Sequence, residues 1–182
     1  MTAAPTAGGL LLRPFRAQDA SALIEVHRDP VLRRYVRNRV TGPDDAARWL
    51  AAEDRSRAEG SRYSFAVLEG GALVGQVVLK RGAPGSAGSE VGYWTAAAAR
   101  GRGVAPRALA ALTAWAAETF AADGLLRLDL FHEGDNAASC RVAEKAGYPF
   151  EALVPAAPPR YPVDGHWHSR PAGNAAPAGN AG

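Results

Sequence analysis

Sulfur is scarce in this 182-residue chain, which has one cysteine, Cys140, and one methionine, Met1. A single thiol excludes an internal disulfide framework and suits a reducing compartment. Long apolar runs are missing as well, since charge or glycine interrupts each one, so no segment reads as a membrane span. Met1–Gly9 has neither the basic start nor the apolar stretch of a secretory leader. These absences lead us to expect a cytoplasmic protein with no membrane partner. Excess charge is also lacking. A net charge of +3 gives no broad electrostatic footprint, so direct nucleic-acid binding is not indicated. Arg33, Arg34, Arg37 and Arg39 do crowd one segment, and Arg55, Arg57 and Arg62 another. Solvated faces are the ordinary explanation of such clusters.

What remains is ordinary globular material. The length and an apolar content of 47% allow one domain with a sizeable core. Leu10–Phe15 reads as a first strand, with Pro14 restricting it to an edge or an end. Asp19 is placed to cap a helix through His27, whose apolar side carries Leu23, Ile24 and Val26, and Pro30 ends or re-aims that helix. Thr41-Gly42-Pro43-Asp44 resembles a capping box and opens a helix to about Ala58, with Trp49 as a core anchor. Tyr63–Leu68 and Leu73–Lys80 form a hairpin across Glu69-Gly70-Gly71-Ala72. Gly82–Gly88 reads as a flexible loop before a third strand, Glu90–Thr95.

The second half alternates helix and strand. From Pro106 to Phe120, residues Leu109, Leu112, Ala116 and Phe120 make one apolar helical face. Leu126, Leu128 and Leu130 alternate with Arg127, Asp129 and Phe131 as a strand parallel to Glu90–Thr95, because a full helix separates the two. A shorter helix, Ala137–Ala146, ends at Gly147, and Tyr148–Val154 follows as a strand. This order predicts an α/β mixed sheet, mostly antiparallel, with helices on both faces. Residues 1–9 read as a flexible terminus, 10–170 as the domain and 171–182 as a disordered tail. His166–Arg170 is short for a last strand.

Arg100-Gly101-Arg102-Gly103-Val104-Ala105 joins the third meander strand to the long helix. Two glycines there admit close backbone approach, and the first-turn amides with the helix dipole favour an anion. Taken alone, the turn has two open explanations: a phosphate cradle or a plain helix start. It lacks the Gly-Lys-Ser/Thr of a P-loop and the glycine spacing of a dinucleotide fold.

A second segment narrows the choice. Asn136-x-x-Ser139-x-x-x-x-Glu144-Lys145-x-Gly147-Tyr148, together with Arg100-x-x-Gly103-x-Ala105 and Glu90-Val91-Gly92-Tyr93-Trp94, resembles the GNAT superfamily of acyl-CoA N-acyltransferases. Within it, the branch acting on ribosomal-protein N-termini (RimJ/RimL-like) is the most similar, over about Leu10 to Val154. The resemblance implies a single-domain GNAT fold with a splayed parallel strand pair, and acetyl-CoA as co-substrate. It implies that the loop Arg100, Gly101, Arg102, Gly103, Val104 and Ala105 holds the CoA pyrophosphate. By the same resemblance, the backbone of Trp94, Thr95 and Ala96 pairs with the pantetheine arm, with Asn136 and Ser139 nearby. Asn136 is equally suited to capping its helix.

Acetyl transfer needs a neutral amine, a held thioester and a proton for the departing thiolate. Glu90, on the strand leading to the turn, is the candidate base if it is partly removed from water. Ser139 is the candidate acid, since the family's usual tyrosine position is Ala143 here. Both assignments require Glu90 and Ser139 to converge on one cleft. By the resemblance, Arg34 and Arg37 fall where the family's fold borders the acceptor, and facing that cleft they would favour an acceptor carrying carboxylate, phosphate or RNA. Cys140 with His132 suggests a covalent route that direct transfer does not need. No metal is expected, because His132, His166 and His168 show no recognisable ligand spacing. The resemblance thus implies an amine acceptor, a ribosomal or other protein N-terminus, on a monomer or homodimer. A small-molecule amine (aminoglycoside, polyamine or amino acid) and a non-catalytic acyl-CoA- or ribosome-binding module are the alternatives.

Overall fold

The computed structural model describes residues 5–83, 85–159 and 162–173. Strands β1 (Thr6–Ala7), β2 (Leu10–Arg13), β3 (Arg62–Glu69), β4 (Ala72–Lys80), β5 (Gly88–Thr95), β6 (Arg127–Glu133), β7 (Phe150–Val154) and β8 (Gly165–Pro171) form one sheet. Its order is β1-β2-β3-β4-β5-β6-β8-β7, antiparallel throughout except for the parallel pair β5 and β6. Helix α4 (Val104–Phe120) links that pair, as a parallel crossover requires. Among the described residues, no helix is long and apolar enough to cross a membrane.

Two cores lie on opposite faces of the sheet. On one face Val77, Leu79, Val91, Leu128 and Leu130 meet Leu109, Leu112 and Ala116 of α4 and Ala143 of α5 (Ala137–Lys145). On the other, Ala66, Leu68 and Trp94 meet Leu23 of α1 (Ala20–Val26), Leu32 of α2 (Pro30–Tyr35) and Ala46 of α3 (Pro43–Ala58). Because strand side chains alternate, neighbours on β5 serve different cores.

Several local expectations change. Residues 1–9 are not wholly a flexible terminus, since Thr6–Ala7 pair with Leu10–Leu11. Of the 171–182 tail, Pro171 belongs to β8 and Ala172 is buried, while 174–182 lie outside the described residues. Pro30 does not merely end a helix. It opens α2 at a position needing no amide donor, with the Asp29 carboxylate accepting from the Val31 N–H at 3.0 Å. Asp19 does not cap α1 with its side chain, because Arg13 claims both carboxylate oxygens at 2.7 Å in a buried bidentate pair, and the one further bond it accepts, at 2.8 Å, comes from the Arg16 N–H before the helix. The acid of the α3 box is Asp45 rather than Asp44, bonded by the amide and hydroxyl of Thr41.

The last strand is not abbreviated. All seven residues of β8 pair with β6, and its other edge carries β7. The sheet is therefore completed within the chain on that side.

Candidate active site

Strands β5 and β6 share a ladder only from Gly88/Arg127 to Val91/Leu130. Beyond it β5 stays with β4 through Thr95, and β6 stays with β8 through Glu133. Each strand is held by its other neighbour, so a wedge opens between Gly92–Thr95 and Phe131–Glu133. The Ala96 N–H donates to Val74 O at 2.9 Å, so the backbone groups of Trp94 and Ala96 face β4. By alternation those of Tyr93 and Thr95 face the wedge. Of the three residues expected to pair with a pantetheine arm, Thr95 alone presents its backbone there, joined by Tyr93.

Past β5 the chain runs through a short 3-10 turn, Ala97–Ala99, into the glycine loop. Gly101 and Gly103 have φ of 75° and 71°, and a Cβ on either would meet no atom within 4 Å. Glycine is needed there for backbone conformation, and open space lies beyond. Gly103 is the N-cap of α4, so no side chain caps the helix, and its first turn holds no acidic residue. The first-turn amides of Val104 and Ala105 thus point outward with the dipole of a seventeen-residue helix behind them. The flanking arginines are not loose charges. Arg100 pairs with Asp29 at the start of α2, and Arg102 pairs with Glu69. The backbone is the uncompensated positive feature of this loop.

The wall of the wedge carries a hydroxyl pair. Tyr93 Oη and Ser139 Oγ are 2.8 Å apart, and Ser139 is buried. Burial pushes the Tyr93 phenol above its usual pKa, so it stays a proton carrier at neutral pH. Asn136 caps α5, its Oδ1 accepting from the Ser139 N–H at 3.1 Å. That bond sets the first turn of α5 and with it the Ser139 hydroxyl. Tyr93 went unassigned in the sequence. Its signal was there: it shares the Val91 face of β5, toward the two helical motifs.

Glu90 and Ser139 do not converge. Tyr93 and Val91 lie on the α4/α5 face with Ser139, whereas Glu90 alternates with them and lies on the Trp94 face. Glu90 is also half-exposed and ion-paired with Lys80, so it lacks the desolvation its role as base required. The expected pairing of Glu90 with Ser139 therefore does not form, and the side chain that meets the Ser139 hydroxyl is Tyr93. On Glu90's own face lies an open cleft of about 240 Å³, bordered by Lys80, Arg127, Asp129 and Phe131. Asp129 is buried there, accepting from Trp167 Nε1 at 2.8 Å and Arg127 Nε at 3.0 Å. Phe131 stacks on Trp167 with ring centres 6.3 Å apart.

Arg34 pairs with Asp135, in the loop just before α5, and Arg37 is exposed beyond α2. With Arg100–Asp29 at its other end, α2 is tied to both loops that border the wedge. Cys140 is no activated nucleophile: burial raises its thiol pKa. Its sulfur lies 3.5 Å from His132 Nε2 and 3.1 Å from His166 Nδ1. The spacing of the histidines gave no reason to expect a metal, yet the fold gathers His132, Cys140, His166 and His168 with donor atoms all within 4.8 Å of one another. Side chains drawn from two strands and a helix leave no linear motif.

A split parallel pair, an amide cradle at its open end and hydroxyls on its wall together define the acyltransferase class that the sequence resembles. Residues 9–149 match the family model described as an acetyltransferase (GNAT) domain, and the chain belongs to that family. Among curated protein sequences, none matches it. Solved structures are similar throughout. A RimL ribosomal L7/L12 alpha-N-protein acetyltransferase in complex with coenzyme A superposes with a TM-score of 0.81 at 19% identity, over 92% of this chain and 96% of that one. Mycobacterium smegmatis RimJ, in complex with a CoA disulfide, gives 0.75 at 22% identity, over 92% and 84%. The microcin C7 self-immunity acetyltransferase MccE, in complex with acetyl-CoA and AMP, gives 0.78 at 16% identity, over 90% and 92%.

Proposed function

We propose that this acetyltransferase moves an acetyl group from acetyl-CoA to the α-amine of a protein N-terminus. The wedge carries the reading. Its exposed strand edge at Tyr93 and Thr95 matches an amide-bearing arm that adds like a strand, and its open end meets the uncapped amides of α4. The pyrophosphate sits on the amides from Arg102 to Ala105. The thioester then lies in the wedge beside Tyr93 and Ser139. The amine enters from the Trp94 face and attacks the carbonyl carbon. As the C–S bond breaks, the Ser139–Tyr93 pair gives the thiolate its proton, the nitrogen sheds its extra proton to solvent water on the Trp94 face, and solvent returns a proton to the pair.

An N-terminal amine fits the weak position of Glu90. With a reference pKa near 8, roughly a tenth of such amines are neutral at pH 7, against under a thousandth of lysines near 10.4. The reaction then asks for no strong base on the Trp94 face. The likeness to RimL and RimJ supports a protein acceptor, and an exposed Phe131 stacked on Trp167 offers an apolar contact for a chain end.

The test is acetyl transfer to a panel of N-terminal peptides, lysine-only peptides with blocked N-termini, polyamines and aminoglycosides, read by mass spectrometry. We expect mass gain on free N-termini. Transfer only to small amines overturns the protein acceptor, and acetyl-CoA binding without turnover on any acceptor overturns the enzyme in favour of a binding module.

A further inference from the structure

We propose that His132, Cys140, His166 and His168 bind one zinc ion that pins α5 to β6 and β8. The tautomers carry the argument. His132 Nδ1 lies 2.8 Å from the Glu133 carbonyl, and His168 Nδ1 lies 3.0 Å from the Tyr148 carbonyl. A carbonyl oxygen only accepts, so each Nδ1 holds the hydrogen and each Nε2 of the neutral ring presents a lone pair. Those two Nε2 atoms face each other at 3.2 Å. Two lone pairs at that distance repel unless a proton or a metal cation lies between them. Carbonyl-anchored imidazoles with their free nitrogens converging are the usual outer support of metal-ligating histidines.

The dimensions suit zinc. With Zn–N near 2.0–2.1 Å and Zn–S near 2.3 Å, tetrahedral geometry sets neighbouring nitrogens about 3.3 Å apart and sulfur about 3.6 Å from nitrogen. The His132–His168 and Cys140–His132 separations, 3.2 and 3.5 Å, match those edges. The Cys140–His166 edge, 3.1 Å, opens slightly, while the widest separation, within 4.8 Å, closes by up to about 1.5 Å around the ion. Three imidazoles and a thiolate form a closed set that selects zinc over magnesium or calcium and leaves no position for substrate. On binding, the Cys140 thiol releases its proton to solvent and the sulfur takes the metal. The ion holds the helix that carries Ser139 and takes no part in the transfer.

Stripped full-length protein titrated with cobalt(II), then with zinc, tests this. We expect one cobalt per chain with a thiolate-to-cobalt charge-transfer band and the intense visible absorption of a tetrahedral site, displaced by one equivalent of zinc. Cys140→Ser, a partly exposed and nearly isosteric change, removes the charge-transfer band. It lowers affinity by more than the roughly 10–100-fold typical of losing an outer-shell partner. His166→Gln does the same to affinity. A pale octahedral spectrum, or Cys140→Ser protein that binds cobalt as tightly and with the same spectrum as the parent, overturns the site.

Discussion

Removing one hydroxyl from the Tyr93–Ser139 pair is the sharpest probe of the transfer step. The oxygens are 2.8 Å apart, and Tyr93→Phe deletes one without changing the ring that packs against the core. Leaving the buried Ser139 hydroxyl without this partner costs about 1–3 kcal/mol of stability, so the protein stays folded. Ser139→Ala keeps the main-chain N–H that donates to Asn136, so α5 keeps its cap. The catalytic cost is larger. A positioned proton donor is worth about 10²–10⁴ in rate, or about 2.7–5.4 kcal/mol of barrier. We expect each single variant to lose at least about 100-fold in kcat, and the double variant to lose no more than the worse single, because the pair works as one donor. The assay is thiol-trapped CoA release at saturating acetyl-CoA, with melting temperature as the folding control. Because burial keeps the Tyr93 phenol protonated, no alkaline loss of rate from this group is expected below about pH 10. Folded single variants that both stay within threefold of the parent would refute the assignment.

Two other expectations follow from backbone and charge. Gly103→Ala forces a left-handed residue, φ 71°, costing about 1–2 kcal/mol, and it weakens CoA binding in calorimetry by moving the α4 amides; unchanged affinity would remove the loop from the site. Asp19→Asn leaves the buried Arg13 guanidinium unpaired, at about 3–5 kcal/mol in denaturant unfolding. The hydrogen bonds from Arg13 hold the Asp19 carboxyl below its ordinary value. Its contribution is therefore full above about pH 4 and lost as pH falls through the folded pKa, and the variant's unfolding should lack that acid limb.

Much of the frame was legible in the sequence. The hairpin Arg62–Lys80, the third strand and the parallel placement of β6 follow from alternation, turn glycines and an intervening helix, all local or connectivity signals. Helix α2 was missed because Pro30 looks the same whether it stops one helix or starts the next. Asp19 was misjudged for a similar reason: its cap position was visible, but its rival partner Arg13 depended on how β2 and α1 meet.

The candidate site divides along the same line. Gly101, Gly103 and the Asn136 cap were readable because each acts through its own few neighbouring residues. Which residue faces which was not. The sequence by itself determined the family, the glycine turn and the helix that follows it. Only the tertiary structure decided that Glu90 and Ser139 stand on opposite faces, that Tyr93 joins Ser139, and that three histidines meet Cys140. The reason is physical: turn chemistry and periodicity are properties of a few consecutive residues, whereas the phase of one strand against another, and of a helix against both, is fixed by packing across the sheet.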